Sequence, residues 1–144
     1  MCIRDRFLGA QPCDFSKIIK LNWAQLKKKD NVGIIFNTDS HLQTGKHWLA
    51  VFIDNVNKKV DYFDSLGDPP NKNIASFLKH FKTYDFTINK KEHQKGNVLC
   101  GVYAVFYIIQ RLKGMSFENI TKRIITDKMM ADYRLLLFRP NNLS

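Results

Sequence analysis

The segment WLAVFI, residues Trp48 to Ile53, is a nearly continuous apolar run, and it restricts the folds open to this chain more than any other stretch. A strand exposed on one side alternates apolar and polar residues; a strand covered on both sides is apolar throughout. The run therefore predicts a central strand with a layer of structure on each face. Asn55 to Lys59 read as a turn, and Lys59–Asp64 as the returning strand of a hairpin whose first strand is Trp48–Asp54. Antiparallel pairing brings the end of the second strand back beside the start of the first, and so Asp64 near His47.

Other elements follow from local signals. Asp14 or Ser16 can cap a helix carrying Ile18, Ile19, Leu21, Trp23 and Leu26, stopped at Lys29-Asp30-Asn31. Val32 to Asn37 reads as a strand. Pro69-Pro70 opens a helix with Ile74, Phe77, Leu78 and Phe81, and Tyr84 to Ile88 alternates as a strand. A helix runs from Leu99 to its stop at Gly114, another is capped by Ser116, and a last one spans Lys128 to Phe138. The expectation is one α+β domain, a mainly antiparallel mixed sheet flanked by helices, and 144 residues are enough to bury its own core.

Four positions then suggest chemistry: His47-Trp48, fifteen residues, Asp64, and later Gln94, five residues, Cys100-Gly101. Cys100 stands at a helix N-terminus, where the dipole favours thiolate. Gly101 leaves space beside the sulfur for a substrate backbone, and Gly45 stands near the base. His47 can take the thiol proton, and a carboxylate can hold the imidazole from its other nitrogen. Asp64 is the candidate acid; Asp54, at the far end of the hairpin, and Asp61, which alternates with Tyr62 and so faces solvent, are competitors. A Gln94 carboxamide N–H, with the backbone N–H of Cys100, can meet a developing oxyanion. Each residue alone also has an ordinary reading: a buried structural cysteine, a strand-edge histidine, a surface glutamine, a core tryptophan at Trp48.

In combination these residues resemble the adenain-like and ubiquitin-like-protease clan of cysteine endopeptidases. There the catalytic order is His, acid, Gln, Cys, whereas papain begins with Cys. Phe7-Leu8-Gly9, Ile34-Ile35-Phe36-Asn37-Thr38 and Tyr62-Phe63-Asp64-Ser65-Leu66-Gly67 also resemble segments of that clan. Leu99, where the modifier proteases usually carry Asp, and Asp64, where adenain carries Glu, place the resemblance nearest the maturation proteases of large DNA viruses, virophages and virus-like transposons. The resemblance implies a fold circularly permuted relative to papain. It assigns His47, Asp64, Gln94 and Cys100 to catalysis, with Trp48, Gly45 and Gly101 near the substrate. It also implies cleavage at glycine-containing motifs in viral capsid or core precursors. The alternatives are a protease of ubiquitin-like modifiers and an inactive DNA- or capsid-binding relative.

The chain carries a net charge of +10. Lysines cluster at Lys27-Lys28-Lys29, Lys58-Lys59 and around Lys90, Lys91 and Lys95. A basic surface attracts polyanions, so DNA is a candidate partner or activator, with Lys90, Lys91 and Lys95 nearest the cysteine. The abundance of Lys, Asn, Ile and Phe is equally what an A/T-rich genome produces. The chemistry needs no cofactor, and a DNA or peptide activator is the one addition the resemblance suggests. His41, His80 and His93 lack partners at metal-ligand spacing, so no metal site is expected. Three cysteines, Cys2, Cys13 and Cys100, make no disulfide framework, and a reducing compartment suits a catalytic thiol. The longest apolar run, Leu99 to Ile109, is too short to span a bilayer, and no secretory leader is evident. The expected setting is the virion and the host-cell viral factory, cytoplasmic or nuclear, with the protein a monomer that acts on polypeptide. The first six residues, MCIRDR, match the translation of a common tagmentation adapter. They read as an assembly scar of metagenomic origin, with the protease domain over 7–144 and its native N-terminus missing.

Overall fold

The computed structural model describes residues 5–18, 20–39, 42 and 47–138. Five strands form one sheet in sequential order: β1 (Asp5–Pro12), β2 (Asn31–Asn37), β3 (Trp48–Asp54), β4 (Lys59–Phe63) and β5 (Asp85–Ile88). The three inner strands pair antiparallel, and the outer strands β1 and β5 join β2 and β4 in parallel. Strand β3 is central, as its apolar run requires. Leu49, Val51 and Ile53 face one layer, with Phe15, Ile74 and Phe77. Ala50 and Phe52 face the other, with Tyr103, Tyr107 and Ile108. With both faces covered, no polar position is left in the strand interior.

Helices supply the two layers. On one side lie α1 (Phe15–Ile18), α2 (Trp23–Lys27) and α3 (Lys72–Leu78), which runs on into a 3-10 turn at Lys79–Phe81. On the other lie α4 (Cys100–Leu112), α5 (Phe117–Thr121) and α6 (Asp127–Leu137). Three corrections to the sequence reading follow. The single helix expected through Leu26 is two, because the Asn22 side chain accepts from the Gln25 N–H and starts a new N-terminus. Strand β1 was not foreseen; it begins with Asp5 and Arg6, two of the adapter-like residues, and its register shifts between Phe7 and Ala10. Asp61 does not face solvent. It is 2% exposed, and Thr87 Oγ1, Tyr107 Oη and Arg111 Nε each donate to it at 2.7 Å.

The hairpin register runs from Asp54 opposite Lys59 to Ala50 opposite Phe63. His47 stands just before β3 and Asp64 just after β4, so the ladder delivers both to the same end of the sheet.

Candidate active site

Cys100 is the first residue of α4, and Leu99 before it makes no side-chain cap. The unpaired amides of that first turn put partial positive charge beside the sulfur. His47 is fixed by the Thr38 N–H, which donates to its carbonyl at 2.9 Å. Its Nε2 lies 2.7 Å from Asp64 Oδ1. That leaves Nδ1 for the Cys100 thiol, to which the ring is also hydrogen-bonded. Of the competing acids, Asp54 caps its own hairpin turn, accepting from the Val56 and Asn57 N–H groups, and Asp61 lies in the cluster described above.

Electrostatics follow from this contact. Burial opposes charge on the imidazole, but hydrogen bonds to Asp64 and Cys100, and the charge of both, push the His47 pKa from 6.5 up to about 10. Burial also opposes the thiolate. The His47 hydrogen bond, backbone hydrogen bonds at Trp48 and Gly101, and the imidazolium charge together hold the thiol below its usual 9.0. Each charge favours the other, so the contact shifts the pair toward imidazolium with thiolate.

The segment Asp64–Gly67 supports both halves of the site. Asp64 Oδ1 accepts from the Leu66 N–H at 2.8 Å, and the Gly67 N–H closes the turn on the Asp64 carbonyl at 2.9 Å. Gly67 has φ +77°, and a Cβ there would meet the Lys90 carbonyl oxygen at 2.9 Å, so both conformation and space require glycine. Ser65 Oγ donates to Gln94 Oε1 at 2.7 Å, while the Ser65 carbonyl accepts from the His93 and Gln94 N–H groups. Gln94, foreseen as an oxyanion donor, is 1% exposed rather than a surface residue. Its Nε2 spends one hydrogen on the Gly96 carbonyl at 2.7 Å.

Three supporting side chains carry no signal that sequence reasoning caught. Asn89, 3% exposed, accepts from the Asp64 N–H at 2.8 Å and donates to the Asp64 carbonyl at 2.6 Å. Asp127, at the start of α6, accepts from the Lys95 and Gly96 N–H groups and from Tyr103 Oη, holding the loop that leads to the cysteine. His93 Nδ1 accepts from the Ile125 N–H at 2.9 Å and ties that loop to the same layer.

Cys100 opens into a cleft of about 530 Å³, lined among others by Trp48, Gly101, Val102, Val105 and Arg134. A Cβ on Gly101 would enter open space. Gly45 and His41 lie outside the described residues. Of the three lysines singled out, Lys91 Nζ donates to the Thr121 and Lys122 carbonyls and Lys95 Nζ pairs with Glu92 at 2.7 Å. Lys90 is exposed.

The arrangement can deprotonate a thiol, hold the resulting imidazolium, and present amide donors beside the sulfur. Comparisons with known proteins agree. The profile of the Ulp1 protease family, C-terminal catalytic domain, matches residues 14–142. A protein of Acanthamoeba polyphaga mimivirus, provisionally named a thiol protease, is 31% identical over 150 aligned residues, covering 93% of this chain and 50% of that protein. The SUMO-1 cysteine protease of African swine fever virus is 31% identical over 118 residues, covering 74% and 43%. A crystal structure of the African swine fever virus protease aligns with TM-score 0.66 at 32% identity, over 77% of this chain and 45% of that one. The yeast Ulp1 protease domain, solved with the SUMO ortholog SMT3, shares the fold with TM-score 0.57 at 16% identity, over 89% and 64%. The chain spans about half the length of the viral relatives it matches.

Proposed function

The chain belongs to the Ulp1 protease family, whose catalytic domain it carries, and we propose that it is a cysteine endopeptidase that matures viral structural precursors by cutting at glycine-containing motifs. The observation that carries this is His47, joined at once to Asp64 and to a thiol at the head of α4, at the floor of an open cleft.

Cys100 Sγ attacks the scissile carbonyl carbon. His47, held by Asp64, passes its proton to the leaving amine, and a thioester remains. A water molecule then attacks the thioester, His47 takes its proton, and the thiolate is released. The second Nε2 hydrogen of Gln94 and the Cys100 N–H meet the oxyanion; one such donor is typically worth about 10²–10³ in rate. Trp48 lines the cleft beside Cys100, and a narrow approach to the sulfur favours substrate residues without side chains next to the cut bond. DNA, drawn by the net charge of +10, is the proposed activator, and the virion and viral factory are the proposed setting.

A protease of ubiquitin-like modifiers is the second reading, favoured by the African swine fever virus relative, which is named a SUMO-1 cysteine protease. Incubation with a mixed linear peptide library and, separately, with a SUMO fusion, each read by mass spectrometry against Cys100→Ala, separates the two. Cuts beside glycine in linear peptides support maturation. Cleavage of the fusion alone supports the modifier reading. Cleavage by Cys100→Ala equal to the parent would overturn both.

A further inference from the structure

We propose that Ser65 is a positioning residue for Gln94, fixing the carboxamide so that its remaining N–H points at the oxyanion; this rests on the reading of Gln94 as an oxyanion donor. A glutamine amide is nearly symmetric in shape, and in a buried site its two ends must be told apart by their neighbours. Here they are. The Gly96 carbonyl can only accept, so the group 2.7 Å from it must be the nitrogen. The other end is then the oxygen, and Ser65 Oγ, 2.7 Å away, must donate to it. One donor and one acceptor on opposite ends set both the identity and the plane of the amide. A single Nε2 hydrogen is left uncommitted among the described contacts.

The surroundings give Ser65 little freedom for any other task. Ser65, like Gln94, is 1% exposed, so water does not compete for either group. Its own carbonyl accepts from the His93 and Gln94 N–H groups at 2.8 and 2.9 Å, which pins the backbone whatever side chain stands there. Removing the hydroxyl therefore leaves the loop anchored and strips Gln94 Oε1 of its donor. Ser65 also follows Asp64 directly in the chain. Two consecutive residues thus serve opposite halves of the reaction: Asp64 holds the base, and Ser65 holds the group that receives the charge.

The test is a double-mutant cycle of Ser65→Ala and Gln94→Ala, reading peptide cleavage and, in parallel, alkylation of Cys100 by iodoacetamide. Alkylation needs the thiolate but builds no oxyanion, so it reports the His47–Cys100 pair alone. The expected result for Ser65→Ala is a kcat roughly tenfold to hundredfold lower, up to the effect of losing the donor outright, with KM and the alkylation rate within about threefold of the parent. In the Gln94→Ala background the same change costs about twofold or less, because the group it positions is gone. Multiplicative losses in the cycle, or alkylation falling in step with cleavage, overturn the proposal. Gln94→Ala cleaving at the parental rate overturns the oxyanion reading itself, a separate outcome visible in the single variant. Should Ser65→Ala fail to fold, Ser65→Thr and Ser65→Val, alike in shape, carry the comparison. Thr is expected to exceed Val at least about tenfold in kcat, set by the same donor loss; equal rates overturn the proposal.

Discussion

Asn89 offers a quantitative test of the scaffold behind Asp64. Replacing it with alanine removes three hydrogen bonds: one accepted from the Asp64 N–H, and two donated to the Asp64 and Lys91 carbonyls. The Asp64 carbonyl keeps the Gly67 N–H, so its loss is partial. The Asp64 N–H has no second partner in the described structure and sits on a residue 1% exposed. An orphaned buried donor costs about 1–3 kcal/mol, and the other two bonds add about 0.5–1.5 kcal/mol each, for a sum of roughly 2–6 kcal/mol. At about 2–4 °C per kcal/mol for a domain of this size, Tm should fall by roughly 4–24 °C. Urea unfolding followed by the fluorescence of Trp23 and Trp48 measures it directly. Asn89→Asp keeps the acceptor but turns a carboxylate oxygen toward two carbonyls, and should be destabilised at least as much. A loss below about 0.5 kcal/mol for Asn89→Ala, the range of an inconsequential surface change, would refute the reasoning.

Other expectations can be checked together. Gly67→Ala meets both a φ of +77° and the Lys90 carbonyl at 2.9 Å, so it should destabilise by more than about 1 kcal/mol in the same unfolding assay. Peptide cleavage needs His47 protonated to release the amine, so kcat/KM should fall as pH rises through about 10, while iodoacetamide alkylation of Cys100 persists there; parallel decline of both would refute the assignment. His93 is held neutral, its pKa lowered from 6.5 by burial and by Lys91. Its contribution to stability is therefore present above pH 6.5 and lost as pH falls below it, by up to about 1.4 kcal/mol per pH unit. Melting curves at pH 5 and pH 7.5 should differ accordingly, and less so in His93→Gln.

What the sequence disclosed, and what it hid, has a physical pattern. Strand β3 was legible because double burial removes every polar residue, and α4 because its apolar positions recur around a helix that starts after a turn. The pairing of His47 with Asp64 was legible because hairpin register is simple arithmetic. Strand β1 was hidden: a parallel edge strand whose register shifts between Phe7 and Ala10 keeps no period of two. The break at Asn22 was missed because an N-cap inside an apolar pattern looks like a tolerated polar residue. Asp61 was misjudged because its partners, Tyr107 and Arg111, come from a helix some fifty residues later. Ser65 and Asn89 belong to the same class, since a polar side chain's partner across distant segments leaves no periodic trace.

The hairpin register also bears on which changes of length the chain tolerates. Residues Asn55 to Lys58 lie at the opposite end of the hairpin from the thiol and touch nothing reactive, yet the number of rungs between them and Asp64 sets where that acid lands. A one-residue slip of the ladder carries Asp64 about 3.3 Å along the strand and turns its side chain to the other face. That displacement exceeds the 2.7 Å contact it makes with His47. Insertions here are harmless only when absorbed as a longer loop, and exchanges of residue type are best accepted at the exposed Val56, since the buried Asn55 donates to the Leu26 and Lys29 carbonyls and accepts from Tyr84 Oη, and Lys58 holds φ 55°. Among descendants of this chain the spacing of the hairpin should stay constant while Val56 drifts.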